Sequence, residues 1–425
     1  MKHNTTVLEG PRYTLLHLIG LFKVPLFFSV VALLGYEGLS ETNPRLYAYI
    51  MSIIGIVNMA TILWVVARSD RFTIKDIVVL LGIPFIMLLS YYTAIVLGRH
   101  HPQNSYYFSL FLGFSLPAIF IGYYLGKAYR RTRMVDIGRY VEIIMLVISV
   151  GGFVTILIPF MQGARFTTLG GASYQSASYY SALAFGLNLY FIVWGRNHVR
   201  FRLLTTRFYK IFSVLLLVLQ FVMVVIPGGR GAFVLAVLYV LLALFEILRV
   251  RKVKKILQGT LFVIGLVVVA IMFLPRLMEN PLFASSFNRA IAFIDTGGGV
   301  NWDGTSGRLP YYENALSLIS EAPIIGYGIF GFRNVYGKEY PHNLILELLL
   351  QGGVVYLAFW TVLLTVLARR LFRNMRRDVG FRAYLFIAAY PLVMLMFSGT
   401  YISTGLFWFM VAFLATCPVN RAVLD

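Results

Sequence analysis

The sequence contains little charge and one cysteine. Of its 425 residues only 13% are charged and 59% are hydrophobic, and Cys417 is the single cysteine. A lone cysteine excludes an internal disulfide and a cluster of thiolate metal ligands. A water-soluble chain of this length would need far more charge on its surface, so the composition indicates a membrane protein.

Several catalytic signatures are also missing. The sequence has no glycine-rich phosphate-binding loop and no Asp-x-Asp pair that would hold a metal–nucleotide complex. An enzyme that uses ATP or a nucleotide sugar from the cytoplasm is therefore not predicted. The first apolar run begins near Leu15 and contains Lys23 and Pro25, without a small-residue cleavage site after it. This pattern is not that of a cleavable signal peptide.

Long apolar runs recur along the whole chain. Crossing a hydrocarbon core takes about 20 apolar residues, and in lipid only helices or closed barrels satisfy the backbone hydrogen bonds. The runs are continuous rather than alternating, so they predict helices. The predicted fold class is all-α, a polytopic transmembrane helix bundle of about 12 spans. The spans lie near 15–36, 46–67, 77–97, 106–126, 141–161, 174–194, 208–227, 231–248, 257–275, 342–366, 383–398 and 400–417.

The positive charges lie mostly on one side of these spans. The net charge of +20 would suit a nucleic-acid partner, but most of the 37 Lys and Arg residues sit in short loops after every second span. Basic loops stay in the cytoplasm, which predicts cytoplasmic termini and no nucleic-acid partner. The predicted domains are spans 1–9 in 1–275, a large periplasmic loop in 276–341, and spans 10–12 in 342–425. The predicted location is the bacterial inner membrane, with the active site on the periplasmic side.

The large loop is predicted to contain short helices. Leu309 to Glu321 has apolar residues at helical spacing, with Ser306 as a candidate cap. This predicts an amphipathic helix on the membrane surface. A loop of about 65 residues is long enough that a functional role is expected.

Arginines on the outer side oppose the general charge bias. Arg165, Arg230 and Arg308 each lie among glycines or small residues, and Arg230 sits in a very short connection between two spans. A guanidinium group matches the oxygens of a phosphate and keeps its charge. These three residues are candidates for binding a lipid pyrophosphate. The alternative is an arginine that reaches lipid headgroups, which is the preferred interpretation for Arg276, Arg289 and Arg333.

His342 is the candidate general base. It stands at the predicted start of a span, where the helix N-terminus carries partial positive charge and lowers the pKa of an imidazole. A neutral imidazole can accept a proton from an attacking sugar hydroxyl. The alternative is that Pro341, His342 and Asn343 only begin a helix. Tyr340 is one of many tyrosines that anchor at the membrane interface or stack on sugars. No metal site and no cofactor are predicted.

Three short stretches resemble the O-antigen ligase/polymerase family. His342-Asn343 followed by Gly352-Gly353 is similar to the family's His-Asn at the end of the large periplasmic loop, with a glycine about ten residues later. The segment 228–233, Gly-Gly-Arg-Gly-Ala-Phe, resembles the arginine segment that opens a later span. Arg165 with the following 174–176 is similar to an earlier periplasmic arginine segment.

The resemblance implies a metal-independent, inverting glycosyltransferase whose donor is an undecaprenyl-pyrophosphate-linked glycan. Arg230, with Arg165 or Arg308, would hold the pyrophosphate, and His342 would activate the acceptor hydroxyl. Asn343 and Tyr340 are the further substrate-binding candidates. The implied partners are an acceptor glycan lipid, membrane lipids and a chain-length regulator.

Three functions stay open at this point. We favour a polymerase that joins lipid-linked repeat units of O-antigen, capsule or exopolysaccharide. The first alternative is an O-antigen ligase, which transfers the lipid-linked glycan to lipid A–core in lipopolysaccharide. The second is a flippase or transporter of a lipid-linked glycan, which predicts cations along the interior of the spans. Here the cations cluster in loops instead.

Overall fold

The structure is a computed structural model, and it describes residues 11–36, 38–67, 73–98, 101, 104–129, 134–164, 167–194, 206–249, 257, 265, 275–292, 307–337 and 340–418. Over these residues the chain forms helices and no strand, which confirms the all-α prediction. The helices are α1 Pro11–Leu21, α2 Lys23–Leu33, α3 Leu39–Thr42, α4 Pro44–Ala67, α5 Ile74–Ile77, α6 Ile83–Val96, α7 Asn104–Leu110, α8 Leu116–Lys127, α9 Met134–Gly152, α10 Ile158–Met161, α11 Tyr174–Val193, α12 Arg207–Val225, α13 Arg230–Arg249, α14 Pro281–Ile291, α15 Leu309–Glu321, α16 Gly331–Tyr336, α17 Leu344–Met375, α18 Arg382–Phe397 and α19 Gly405–Thr416.

Membrane-crossing helices agree with most of the predicted spans. Among the described residues, 8 helical segments are long and apolar enough to cross a membrane, or 9 if the pair α1 and α2 forms one broken span. The predicted segments 174–194 and 400–417 are represented by α11, which is outside this apolar set, and by the short α19. Most of 257–275 lies outside the described residues. The count of twelve spans therefore stays a prediction.

Prolines explain three irregular turns within the spans. The π-helical turns Val78–Gly82, Phe111–Ser115 and Phe153–Leu157 each come directly before a helix with proline at its second residue. Proline lacks a backbone N–H and crowds the preceding turn, so the local hydrogen-bond pattern must change there. In the turn 111–115 a carbonyl is bonded by a side chain from another part of the protein.

The chain divides into two compact units. The first comprises 1–24, 44–140 and 305–425, and the second comprises 25–43 and 141–304. The predicted large loop 276–341 contributes to both units: α14 lies in the second, whereas α15 and α16 lie in the first. The amphipathic helix predicted over 309–321 is present as α15, although Ser306 lies outside the described residues.

The first unit is built around the close pair α8 and α19. A Cβ atom added at Gly122 would overlap the carbonyl oxygen of Phe409, and one added at Gly126 would overlap the hydroxyl of Thr416. Small residues four positions apart let two membrane helices approach through their backbones, where dispersion contacts replace the missing hydrophobic effect. The two glycines therefore set the separation of this helix pair.

A buried cation also holds the first unit together. Lys23, 4% exposed, donates to the carbonyl oxygens of Met51 at 2.9 Å and of Gly113 at 2.7 Å. Gly113 belongs to the π-helical turn 111–115, which supplies an available carbonyl. Lys23 also lies over the Phe114 ring, 5.0 Å from its centre. A charge in this position is costly unless it is bonded, and these contacts supply the bonds.

The second unit is organised around α11, which is buried along most of its length. Its Asn188 donates to Gln220 at 2.9 Å, and Gln220 donates to Ser149 at 2.8 Å. These bonds join α11, α12 and α9. Polar side chains in a membrane protein bind across helices because lipid offers them no partner.

The α8–α19 contact yields a stability prediction. Gly122→Ala is expected to destabilise the protein by about 1–3 kcal/mol, because the added methyl group must push the two helix backbones apart. The matched control is Gly113→Ala, where an added Cβ meets no atom within 4 Å. Thermal unfolding of both variants in detergent provides the measurement. Equal stability of the two variants would contradict the assigned role of Gly122.

Candidate functional site

His342 occupies a strained turn immediately before α17. Its φ is 55°, in the left-handed region that residues other than glycine rarely adopt. The next residue, Asn343, is extended, and its side-chain oxygen accepts from the N–H groups of Ile345 at 3.0 Å and Leu346 at 3.2 Å. Asn343 therefore caps the helix. Backbone strain of this kind concentrates at functional sites, where the surrounding structure maintains it.

Two tyrosines and one arginine surround the imidazole. The rings of Tyr340 and Tyr311 meet it edge-on, with centres 4.6 and 5.4 Å away. Burial, and after it the positive charge of Arg308, lower the pKa of His342 from the ordinary 6.5 to about 4. The direction is the one predicted from the sequence, but the causes are burial and Arg308 rather than the helix end. Near neutral pH the ring is uncharged.

The neutral ring presents a buried nitrogen. The Nδ1 atom of His342 is shielded from solvent and has no hydrogen-bond partner among the described residues. Buried polar atoms normally have a partner, so an exception calls for an explanation. A substrate hydroxyl that occupies this position would satisfy the nitrogen and place a proton where the imidazole can take it.

A small apolar core connects the helices around His342. Ala315 and Leu318 of α15 pack with Phe332 of α16 and Leu350 of α17, and all four are buried. Tyr311, whose ring contacts His342, packs against this cluster. The packing of this core therefore positions Tyr311, whose ring forms one wall of the histidine site.

A break in α17 anchors the same region. Gly352 and Gly353 leave helical geometry, and Gly353 has a φ of 63°. The freed carbonyls of Leu350 and Gln351 accept from the N–H groups of Tyr327 at 2.7 Å and Gly328 at 2.8 Å. In the reverse direction, the Val354 N–H donates to Pro323 at 2.8 Å. The segment 323–328 thus provides the hydrogen-bond partners that these backbone groups lose at the break in the helix.

Glycine is required for this close approach. A Cβ atom at Gly353 would overlap the backbone of Ile324, and one at Gly326 would lie 2.6 Å from the N atom of Gly352. The Gly-Gly pair noted in the sequence is therefore the place where the backbone of the loop contacts the backbone of α17. This contact connects the loop helices to α17 at a point C-terminal to His342.

Sequence reasoning missed a buried acid in α17. Glu347 is 2% exposed and accepts hydrogen bonds from the hydroxyl of Thr400 and from Gln351, the latter at 3.3 Å. Gln351 in turn accepts from the hydroxyl of Tyr401. An ionisable residue inside a predicted span is the signal that could have identified it. Its contacts tie α17 to the 398–404 connection.

The second unit contains an arginine pair at the start of α13. The Nε of Arg230 donates to the carbonyl oxygen of Arg289 at 2.9 Å. The Nη2 of Arg289 donates to the carbonyl oxygen of Pro227, and its guanidinium lies over the ring of Tyr174. Both arginine side chains are half-buried. Arg289, interpreted from the sequence as a headgroup cation, is instead fixed beside Arg230.

The predicted site residues that the structure describes are divided between the two units. His342, Tyr340, Asn343 and Arg308 lie together in the first unit, and the charge of Arg308 acts on His342. Arg230 lies in the second unit, and Arg165 lies outside the described residues. The interpretation of Arg333 as a headgroup cation also changes, because this residue is only 8% exposed. No group of metal-binding side chains occurs in the described part of the chain.

Comparison with known proteins gives a family match over part of the chain. Residues 215–361 match the family model described as O-antigen ligase, which confirms the resemblance found in the sequence. The matched range contains both Arg230 and His342. No curated protein matches the chain. The match supports a membrane protein with an O-antigen ligase or polymerase function that acts on lipid-linked glycans.

The environment of His342 yields a titration prediction. Arg308→Gln is expected to raise the pKa of His342 because it removes one of the two causes that lower it, whereas Arg308→Lys keeps the charge and should change the pKa less. NMR titration of labelled histidines, with His342→Gln for assignment, measures the shift.

The same pKa shift predicts how the stability of the wild-type protein depends on pH. The contribution of neutral His342 to the free energy of unfolding should be fully present above pH 6.5 and decrease toward pH 4, because only the unfolded chain takes up the proton in this range. A wild-type pKa near 6.5 would contradict the site geometry.

Proposed function

From this family match, we propose that the protein is a membrane glycosyltransferase of cell-surface polysaccharide biosynthesis. It polymerises undecaprenyl-pyrophosphate-linked oligosaccharide repeat units at the periplasmic face of the bacterial inner membrane, with both termini in the cytoplasm. The observation that carries the proposal is His342, an uncharged base with a buried ring nitrogen in a strained turn, inside the matched range.

The proposed reaction is an inverting transfer without a metal ion. The acceptor hydroxyl attacks the anomeric carbon of the donor sugar from the face opposite the pyrophosphate. His342 takes the hydroxyl proton, the bond from the anomeric carbon to the phosphate oxygen breaks, and undecaprenyl pyrophosphate leaves with the bonding electrons. The positive charge of Arg230 stabilises the negative charge that develops on the leaving group.

Other candidate residues have supporting roles in this scheme. Arg308 or Arg165 is the sequence-based candidate for a second cation, and the charge of Arg308 contributes, after burial, to the lowered pKa of His342. Tyr340 presents a ring beside the histidine on which a sugar can stack. Asn343 binds substrate in the sequence-based scheme, and its observed contacts support it as the residue that fixes the turn.

Two alternative functions share the same membrane fold. A ligase would use the same donor and base but transfer the glycan to lipid A–core, and the family description favours this candidate specifically. A flippase or transporter of the lipid-linked glycan would need no base. The uncharged His342 therefore favours transfer over transport. A regulator of chain length is a further expected partner of a polymerase.

The proposed mechanism predicts the effect of two substitutions. His342→Ala and Arg230→Ala are each expected to lower the rate of transfer by at least about 100-fold, because each removes a group that acts on the transition state. Glycan length in cells and product formation by purified protein are the measurements. His101→Ala and Arg276→Ala remove the same side-chain types elsewhere and should retain activity. Membrane insertion is checked for all four, and normal glycan length with either site variant would refute the assigned roles.

One assay separates the three functions. Purified protein in lipid is incubated with lipid-linked repeat units, with and without lipid A–core, because only the acceptor distinguishes a polymerase from a ligase. Longer lipid-linked chains with released undecaprenyl pyrophosphate are the expected result. Transfer that requires lipid A–core would identify a ligase, and movement across the bilayer without new bonds would identify a flippase.

The same assay tests metal independence. The product is expected to form in the presence of EDTA, and a loss of product formation that magnesium restores would contradict metal independence.

A further inference from the structure

Arg289 is held from three sides at the turn before α13. Its Nη2 donates to the carbonyl oxygen of Pro227. Its guanidinium lies over the ring of Tyr174, with Cζ 5.1 Å from the ring centre. On the third side is Gly228, where a Cβ atom would occupy the position of the guanidinium nitrogens. The direction of the Arg289 side chain is therefore fixed. Arg289 itself lies in α14, 59 residues after Arg230.

Arg289 in turn fixes Arg230. Its carbonyl oxygen, in the last turn of α14, accepts from the Nε of Arg230 at 2.9 Å. Carbonyls in the last turn of a helix lack an intrahelical partner, so this bond satisfies one of them. Because Nε is the guanidinium nitrogen nearest the chain, the bond also sets the direction in which the two terminal nitrogens of Arg230 point.

The sequence of the turn fits this arrangement. Gly228 has a φ of 76°, and its missing side chain leaves room for Arg289. Gly229 approaches α11 closely: its N–H donates to the hydroxyl of Ser178 at 3.1 Å, and an added Cβ would lie 2.6 Å from the Cβ of Ser178. Gly228 therefore leaves space for the Arg289 side chain, and Gly229 lets the turn pack against α11, the helix that carries Tyr174.

We propose that Arg289 is a further phosphate-binding arginine of the donor site, so that Arg230 and Arg289 together bind the two phosphates of an isoprenoid diphosphate. This inference rests on the proposed function, in which the donor carries a diphosphate. Two guanidinium groups fixed at one turn repel each other, and an anion with charge on two adjacent phosphates attracts both. Each planar fork also matches the oxygen geometry of one phosphate.

A purely structural role for Arg289 makes a different prediction. In that case the arginine only connects α14 to the turn at Pro227, and its removal lowers stability without changing the affinity of the folded protein for a diphosphate. The two roles therefore differ in whether the number of phosphates on the ligand matters.

The test compares two soluble isoprenoid probes on the full chain in lipid nanodiscs. Affinities for farnesyl diphosphate and farnesyl monophosphate are measured by calorimetry at one fixed salt concentration. Arg289→Ala is expected to weaken diphosphate binding about ten-fold or more, the scale of a lost charged hydrogen bond, and to change monophosphate binding much less. Gly228→Ala keeps every charge but displaces Arg289, and should weaken diphosphate binding in the same way. The control is Arg276→Ala, which removes one exposed charge.

Thermal unfolding of each variant separates loss of affinity from loss of fold. Wild-type diphosphate affinity in Arg289→Ala, with or without lower stability, overturns the inference. If Arg230→Ala alone weakens diphosphate binding, the donor role of Arg230 survives and the role of Arg289 does not. If Arg289→Ala weakens it but the wild-type protein transfers no glycan, this inference survives and the proposed function fails. A wild-type protein that binds neither probe overturns both.

Discussion

The structure depends on the need to satisfy every backbone polar group inside a membrane. Lipid offers no hydrogen bonds, so a helix can break there only where another part of the protein replaces the lost partners. The break at Gly352-Gly353 shows this directly, because the segment 323–328 supplies donors to the freed carbonyls and accepts from Val354. The wide turn at 111–115 follows the same rule, with Lys23 as the donor.

This constraint also explains how the histidine site is positioned. The loop segment 323–328 is attached to α17 by main-chain bonds, and α15 and α16 on either side of it pack onto the first half of the same helix. His342 begins that helix, and Tyr311 comes from α15. Two walls of the site are thus connected through one helix, so their geometry depends on backbone bonds and apolar packing rather than on mobile side chains.

The sequence predicted the features that depend on local pattern. Continuous apolar runs gave the helical class, and helical spacing gave α15 with the observed bounds. The His-Asn pair marked the start of α17, although local pattern did not show that Asn343 caps the helix while His342 takes a left-handed conformation. Arg289 was misinterpreted because its partner Pro227 lies 62 residues away. Glu347 was missed because its partners Thr400 and Tyr401 come from a distant connection, and single-sequence reading does not identify such contacts.

Partial burial suits both kinds of group that the proposed chemistry needs. An imidazole acts as a base only when it is uncharged, and burial beside Arg308 keeps His342 in that form. An arginine must stay charged, and its intrinsic pKa is so high that half-burial does not neutralise it. The same loss of water therefore makes the base available and strengthens the attraction between the guanidinium groups and a phosphate. Replacement of Arg230 by lysine would not be equivalent, because burial shifts the pKa of an ammonium group readily and lysine lacks the planar fork that Arg289 orients.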